Sequence, residues 1–300
     1  MLGGANVTQR QIENWAHQGA VRTSSATYHM ISNVLKDPSA SFADREFDVY
    51  LQGSYGNDTN IWKDSDVDIV VELTQTFTSN KKLLPSVQYE LHEMDYKRAE
   101  YSQAEFRKEV YALLVDKFGA ESVTNGRRSI KIKGLGLRRD ADVVVCNSYR
   151  LYSYYFSKSN HLYAKGMEIN NMGESVVNYP KLHSAALTEK HKTTQERFKP
   201  VVRILKNIKN RMIEEGRLDE KDVCSYLLEC WLYNAPDACF VANIKDRVEN
   251  ACNWLLRSDN KEMLMPHGIF KLIGDADGQW SAARYQKFCS SLVEFYNYEG

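Results

Sequence analysis

Several features that would place a chain at once are missing here. The six cysteines (Cys146, Cys224, Cys230, Cys239, Cys252, Cys289) include no C-x-x-C pair and have no H-x-x-x-H companion. That argues against a zinc module or a disulfide framework and fits reduced, mostly buried thiols in a cytosolic protein. No run of eighteen apolar residues occurs, so no membrane span is expected. The opening "MLGGANVTQRQIENW" lacks a basic region followed by an apolar stretch, so no secretory leader is expected. Excess charge is absent too: 39 Lys and Arg balance 39 Asp and Glu. Bulk-charge attraction to nucleic acid needs a basic footprint, so strong nucleic-acid binding is not expected. There is no Walker A sequence, no HExxH, no internal repeat and no low-complexity tract, and the seven histidines are scattered. The "DADG" at 275–278 lacks the further ligands of an EF-hand loop.

What is present reads as a globular protein. Hydrophobic content of 43% and charged content of 26% over 300 residues suffice for one large domain or two. Residues 8–35 carry apolar side chains at helical spacing behind Thr8, a plausible N-cap, and Gly19 allows one bent helix or two short ones. "FDVYLQGS" and "SDVDIVVEL" read as strands, "QAEFRKEVYALLVDKF" (103–118) as an amphipathic helix stopped by Gly119, and "SIKIKG" and "RRDADVVVC" as two further strands. From about residue 195 helices dominate. A mixed half is therefore expected first and a helical half after it, joined by the Asn-, Tyr- and Ser-rich segment 150–194.

Chemistry concentrates in "LQGSYGNDTNIWKDSDVDIVVEL" (51–73). On a strand, Asp66 and Asp68 project to one face. Two ionised carboxylates held that close repel, so a positive partner is expected between them. Asp142 leads into Val143–Val145 in the same manner, and Asp140 shares its face. Two aspartates on one strand and a third on a neighbour are the minimum for clamping two Mg²⁺ ions, which take hard oxygen ligands and complete their shells with water and phosphates. Such a pair serves phosphoryl and nucleotidyl transfer. Gly53-Ser54 just upstream suits a phosphate-gripping turn, since glycine lets backbone approach closely.

Gly-Ser, a spacer, then Asp-x-Asp on a strand resembles the signature of the polymerase-β-type nucleotidyltransferase superfamily. With "NYPKLH" (178–183), "TTQERFKPVVRILKN" (193–207) and "SYLLECWLYN" (225–234), the chain is similar over nearly its whole length to the bacterial cGAS/DncV-like nucleotidyltransferases (CD-NTases), in particular to clade E. The resemblance implies an α+β fold: a nucleotidyltransferase core with a mixed twisted sheet and an N-terminal bridging helix over 1–160, and a helical bundle over 161–300, bilobal about a central cleft. It implies Asp66, Asp68 and Asp142 as metal ligands and catalytic residues. Gly53, Ser54, Lys206, Ser225 and Tyr226 become nucleotide contacts, and Asn178 a candidate base-edge reader. The cofactor expected is Mg²⁺ (two ions), with Mn²⁺ able to substitute.

The activity implied is synthesis of a cyclic di- or oligonucleotide messenger from NTPs in anti-phage signalling, with cyclic di-GMP or a uridine- or adenosine-containing ring as candidates. A separate effector protein would read the product, and a cytoplasmic monomer without membrane contact is expected. Activation by double-stranded DNA, as in the animal relative, is not expected. The segment "YGNDTN" (55–60) departs from relatives that carry basic or Gly-Thr residues there. A terminal RNA nucleotidyltransferase, a protein- or drug-modifying enzyme and an inactive nucleotide-binding scaffold share the carboxylates and stand as alternatives. Plainer readings also exist. Lys199, Arg203, Lys206 and Lys209 form a stripe at helical spacing, so Lys206 reads equally as a solvated or salt-bridged lysine. Ser225 reads also as a helix-start residue, Tyr226 as core, Asn178 as a turn residue, Asp140 as a solvated strand-entry residue, and Lys131 and Lys133 as the exposed face of a strand.

Overall fold

The computed structural model describes residues 7–63, 66–171, 173–276 and 278–297; Asp277 of "DADG" lies outside the described residues. At the N-terminus, α1 (Gln9–Trp15) and α2 (Val21–Leu35) are separate helices. Thr8 caps α1 in a reciprocal box with Gln11. Between the two helices a Cβ on Gly19 would lie 2.4 Å from the Ile61 carbonyl oxygen, so only glycine fits that approach. The chain forms two compact units, one of Met1–Ala20, Asn57–Asp64 and His183–Gly300, the other of Val21–Gly56 and Ser65–Leu182.

The second unit is built on a mixed sheet: β1 (Phe47–Leu51), β2 (Val67–Asn80), β3 (Val123–Asn125), β4 (Ile130–Ile132), β5 (Ala141–Ser157), β6 (Asn160–Asn171) and β7 (Glu174–Asn178). Strand order is β1-β2-β5-β4-β3, with β6 pairing β5 and β7. β2 and β5 run parallel, and every other pairing is antiparallel. Helices α3 (Gly53–Gly56), α4 (Ser86–Asp95) and α5 (Gln103–Phe118) complete the unit. α5 has the bounds its periodicity predicts: Ser102 and Glu105 form a capping box, and Gly119 ends it at φ +86°. One sheet face, with Val67, Ile69, Val71, Val143, Val145 and Ile130, packs with Ile31 and Leu35 of α2 and Phe106, Val110 and Leu114 of α5. The other face buries Val70, Val144, Cys146, Met167 and Ile169 around Tyr50. Burial on both faces is why β2 reads as a continuous apolar run.

Segment 150–194 is not a linker. β5 runs to Ser157, β6 and β7 extend the sheet, and the division between units falls between Leu182 and His183 rather than near residue 160. The cause is aromatic. Tyr152 and Tyr155 are fully buried, 5.6 Å apart edge to face, and each contacts His92 and His161. Tyrosine fills strands well when its ring packs.

In the other unit, α6 (Pro180–Thr193, its first residues counted with the sheet), α7 (Phe198–Glu214), α8 (Ser225–Tyr233), α9 (Ile244–Arg257) and α10 (Ala282–Asn297) share one core with α1. Trp231 and Trp280 anchor it, their indole N–H groups donating to the Tyr285 hydroxyl (3.3 Å) and the Asp222 carbonyl (3.0 Å). Among the described residues no helix is long and apolar enough to cross a membrane.

Candidate active site

The register of the sheet brings the carboxylates together. Asp68 on β2 is the direct partner of Asp142 on β5. Partners on parallel strands point to the same face, and the strands lie about 4.8 Å apart. Lys131 of β4 is in turn the register partner of Asp142 on its other side, and it is exposed. Asp68, Asp142 and Lys131 thus form a row across three strands at the start of the parallel pair. Asp66 is exposed and immediately precedes β2, whose first N–H, that of Val67, donates to the Asp140 carbonyl (3.0 Å). The Asp140 side chain accepts from the Gly134 N–H (2.6 Å), so this exposed aspartate closes the 134–140 turn.

The Gly53-Ser54 turn lies against the same carboxylate. Gly53 sits at φ +65°, and a Cβ there would be 2.2 Å from Asp68 Oδ2. The Gln52 N–H donates to the Asp68 carbonyl (3.0 Å), which ties the turn to β2, and half-buried Ser54 follows within α3. Among the described residues no three His, Cys, Asp or Glu side chains close around one point to hold a metal by themselves. The donor set nonetheless fits Mg²⁺ chemistry. All donors are hard oxygens, two stand in register, and Mg²⁺ usually takes one or two carboxylates and completes its shell from water and substrate phosphate.

Asn178 ends β7 as the register partner of Met167, whose other partner is Ser148. Met167 packs with Val144 and Cys146, so Asn178 lies on the carboxylate face, exposed, farther along the sheet.

The basic stripe of α7 departs most from expectation. Lys199, Arg203 and Lys206 are 5%, 9% and 0% exposed, not solvated. Each grips the segment that follows α3. Lys199 Nζ pairs with Asp58 (3.0 Å), the Arg203 guanidinium donates to the Asp58 carbonyl (2.6 Å) and the Ala16 carbonyl (2.5 Å), and Lys206 Nζ donates to the Thr59 carbonyl (2.9 Å). Burial lowers the Arg203 pKa to about 10. The lysine of this helix found beside Ser225 is Lys209, one turn beyond Lys206, with Nζ 3.4 Å from the serine Oγ. Spacing alone marked all four residues as one stripe, and only the cover supplied by residues 57–60 separates them. Ser225 is the first residue of α8 and half-buried. Tyr226 is not core: it is 39% exposed, and its ring stacks on His183 at 4.8 Å.

Sequence reasoning passed over Glu229 as well. This fully buried carboxylate accepts from Asn57 Nδ2 (3.1 Å), the Thr59 hydroxyl and His183 Nε2 (3.1 Å). Burial pushes its pKa up, but the bond and charge of His183, the Thr59 hydroxyl and the Lys206 charge outweigh burial and hold it below the usual range. The signal for it was an acidic residue on the apolar helix "SYLLECWLY".

Comparison with known proteins agrees with this architecture. Residues 185–297 match the C-terminal helical domain of cGAS/DncV-like nucleotidyltransferases. The chain is 37% identical over 285 residues to a cyclic UMP-AMP synthase of Rhodothermus marinus, covering 94% of this chain and 95% of the relative. It is 33% identical to a cyclic nucleotide synthase of Staphylococcus haemolyticus, covering 97% and 99%. The solved structure of the R. marinus c-UMP-AMP synthase with Apcpp and Upnpp superposes with a TM-score of 0.87 over 98% of both chains at 35% identity. Likeness of that extent carries more than a fold, and the chain belongs to the cGAS/DncV-like nucleotidyltransferases.

Proposed function

We propose that the chain joins two NTPs into a cyclic dinucleotide containing uridine, with adenosine as the second base. The observation that carries the chemistry is the in-register pair Asp68 and Asp142 against the Gly53 turn. Asp66, Asp68 and Asp142 would hold Mg²⁺. When bound, the metal lowers the pKa of the attacking hydroxyl and offsets charge on the phosphate. The chain's own part is to orient. Gly53 and Ser54 present backbone and hydroxyl to phosphate. In the helical unit, Lys209, with Nζ 3.4 Å from the Ser225 Oγ, and Ser225 would contact phosphate, and the exposed Tyr226 ring would stack on a base. Asn178, exposed on the carboxylate face, carries an amide that both donates and accepts, which suits the uracil edge. The base assignment is supported by similarity to the R. marinus cyclic UMP-AMP synthase. A messenger role in bacterial anti-phage signalling, read by a separate effector, follows from the family resemblance.

Incubation with four NTPs and Mg²⁺, then phosphatase treatment and mass spectrometry, tests this. A phosphatase-resistant ring containing uridine is expected. Asp66→Asn/Asp68→Asn should reduce it on the order of 10²–10³-fold or more, as loss of charge stabilisation at a reacting phosphate does. A linear product alone, or product from the double variant at the wild-type rate, would sink the reading. Asn178→Ala should lower uridine incorporation relative to the other bases in a competition among the four NTPs.

A further inference from the structure

Glu229 is a buried carboxylate for which the synthase reading has no use. Three donors converge on it, and two of them come from residues 57–60, the stretch that continues the chain directly from the Gly53-Ser54 turn. The third is His183 Nε2, which must carry the proton to donate to an ionised acceptor. That bond fixes the imidazole plane, and the imidazole is what the half-exposed Tyr226 ring lies on, with an interplanar angle of 28°. At its far edge the Tyr226 hydroxyl contacts Met265 Sδ (3.8 Å), a weak acceptor, and interacts with the Cys230 thiol, another weak partner. The face of the ring rests on His183, and behind that on Glu229.

We propose that Glu229 is a positioning residue: through His183 it sets the plane on which Tyr226 stacks a nucleobase, and through Asn57 and Thr59 it fixes the segment continuing from the phosphate-gripping turn. The proposal rests on the assignment of Tyr226 as a base-stacking residue in the synthase reading.

The test is a double-variant cycle with His183→Gln and Tyr226→Ala in the full-length chain. It is read by calorimetric binding of non-hydrolysable UTP and ATP analogues, with melting temperatures alongside. Base–aromatic stacking is strong enough that each single variant should weaken binding of one analogue by about tenfold. In the Tyr226→Ala background, His183→Gln should add nothing, because the ring it orients is gone. Effects that multiply, or a His183→Gln variant that melts lower yet binds as wild type, would show a purely structural residue and overturn the proposal. Glu229→Gln, which sets an amide against three donors, should raise KM for the consumed NTP more than it lowers kcat. If that variant does not fold, the cycle still decides the His183–Tyr226 coupling, and its absence overturns the proposal. Wild type that makes no cyclic product would overturn the synthase reading, while the binding cycle still reports separately on the His183–Tyr226 coupling through which Glu229 is proposed to act.

Discussion

A methyl group at Gly53 would sit 2.2 Å from Asp68 Oδ2, on a residue held at φ +65°. Gly53→Ala therefore meets two penalties, backbone strain of about 1–2 kcal/mol and displacement of a carboxylate that the proposed chemistry needs placed to within a fraction of an ångström. Activity should fall on the order of 10²-fold, the usual cost of a 1 Å misplacement, while the melting temperature drops only a few degrees. A steady-state assay paired with a thermal melt checks both. Lys206 and Lys209, three residues apart on one helix, should separate the other way. Lys206→Met strands the Thr59 carbonyl in the interior and should destabilise by about 1–3 kcal/mol in a urea titration. Lys209→Ala, at a half-buried position beside Ser225, should leave the urea midpoint nearly unchanged and raise KM for NTP.

α5 was legible in the sequence to the residue because its signals are local, apolar positions one turn apart and a glycine at the exit, and the structure adds a capping box at Ser102. The Asp-x-Asp spacing is local in the same sense, but only Asp68 lies on β2, and Asp66 immediately precedes it. The partnership of Asp68 with Asp142 follows from a parallel register between strands far apart in sequence, which no local pattern fixes. The stripe on α7 shows the limit most clearly. Helical spacing puts Lys199, Arg203 and Lys206 on one face, but what covers that face is a segment more than a hundred residues upstream. The missed strands β6 and β7 have another cause. Tyrosine, serine and asparagine read as linker composition until the rings are seen to pack on one another. Tyr152 is the centre of that packing, and Tyr152→Ala should cost about 3–5 kcal/mol, the range for large aromatics truncated in a core, measurable by chemical denaturation.

Acid should unfold the chain through its histidines before its carboxylates are titrated. Burial, with the Lys81 charge behind it, lowers the pKa of His92, and burial with the Lys199 charge lowers that of His191. His267 falls to about 4 through burial and the neighbouring His183. Each resists a proton that the unfolded chain accepts near pH 6.5. Their contribution to stability is thus complete above pH 6.5 and declines as pH falls from there toward about 4, where His267 itself protonates. Melting temperatures between pH 8 and pH 4 should be flat above 6.5 and decline below it, and His267→Gln should flatten part of that decline.

The two units also interleave along the sequence: the helical unit takes Met1–Ala20 and Asn57–Asp64 in addition to everything from His183 onward. A fragment cut at residue 183 would carry nearly all of that unit's helices and yet leave Lys199, Arg203, Lys206 and Glu229 without the counterparts that residues 16 and 57–59 supply. No single cut frees a self-sufficient piece. Truncation, permutation or fusion of this protein must therefore respect a seam that crosses the polypeptide four times, and a fragment defined by the C-terminal match alone should be recovered as aggregate.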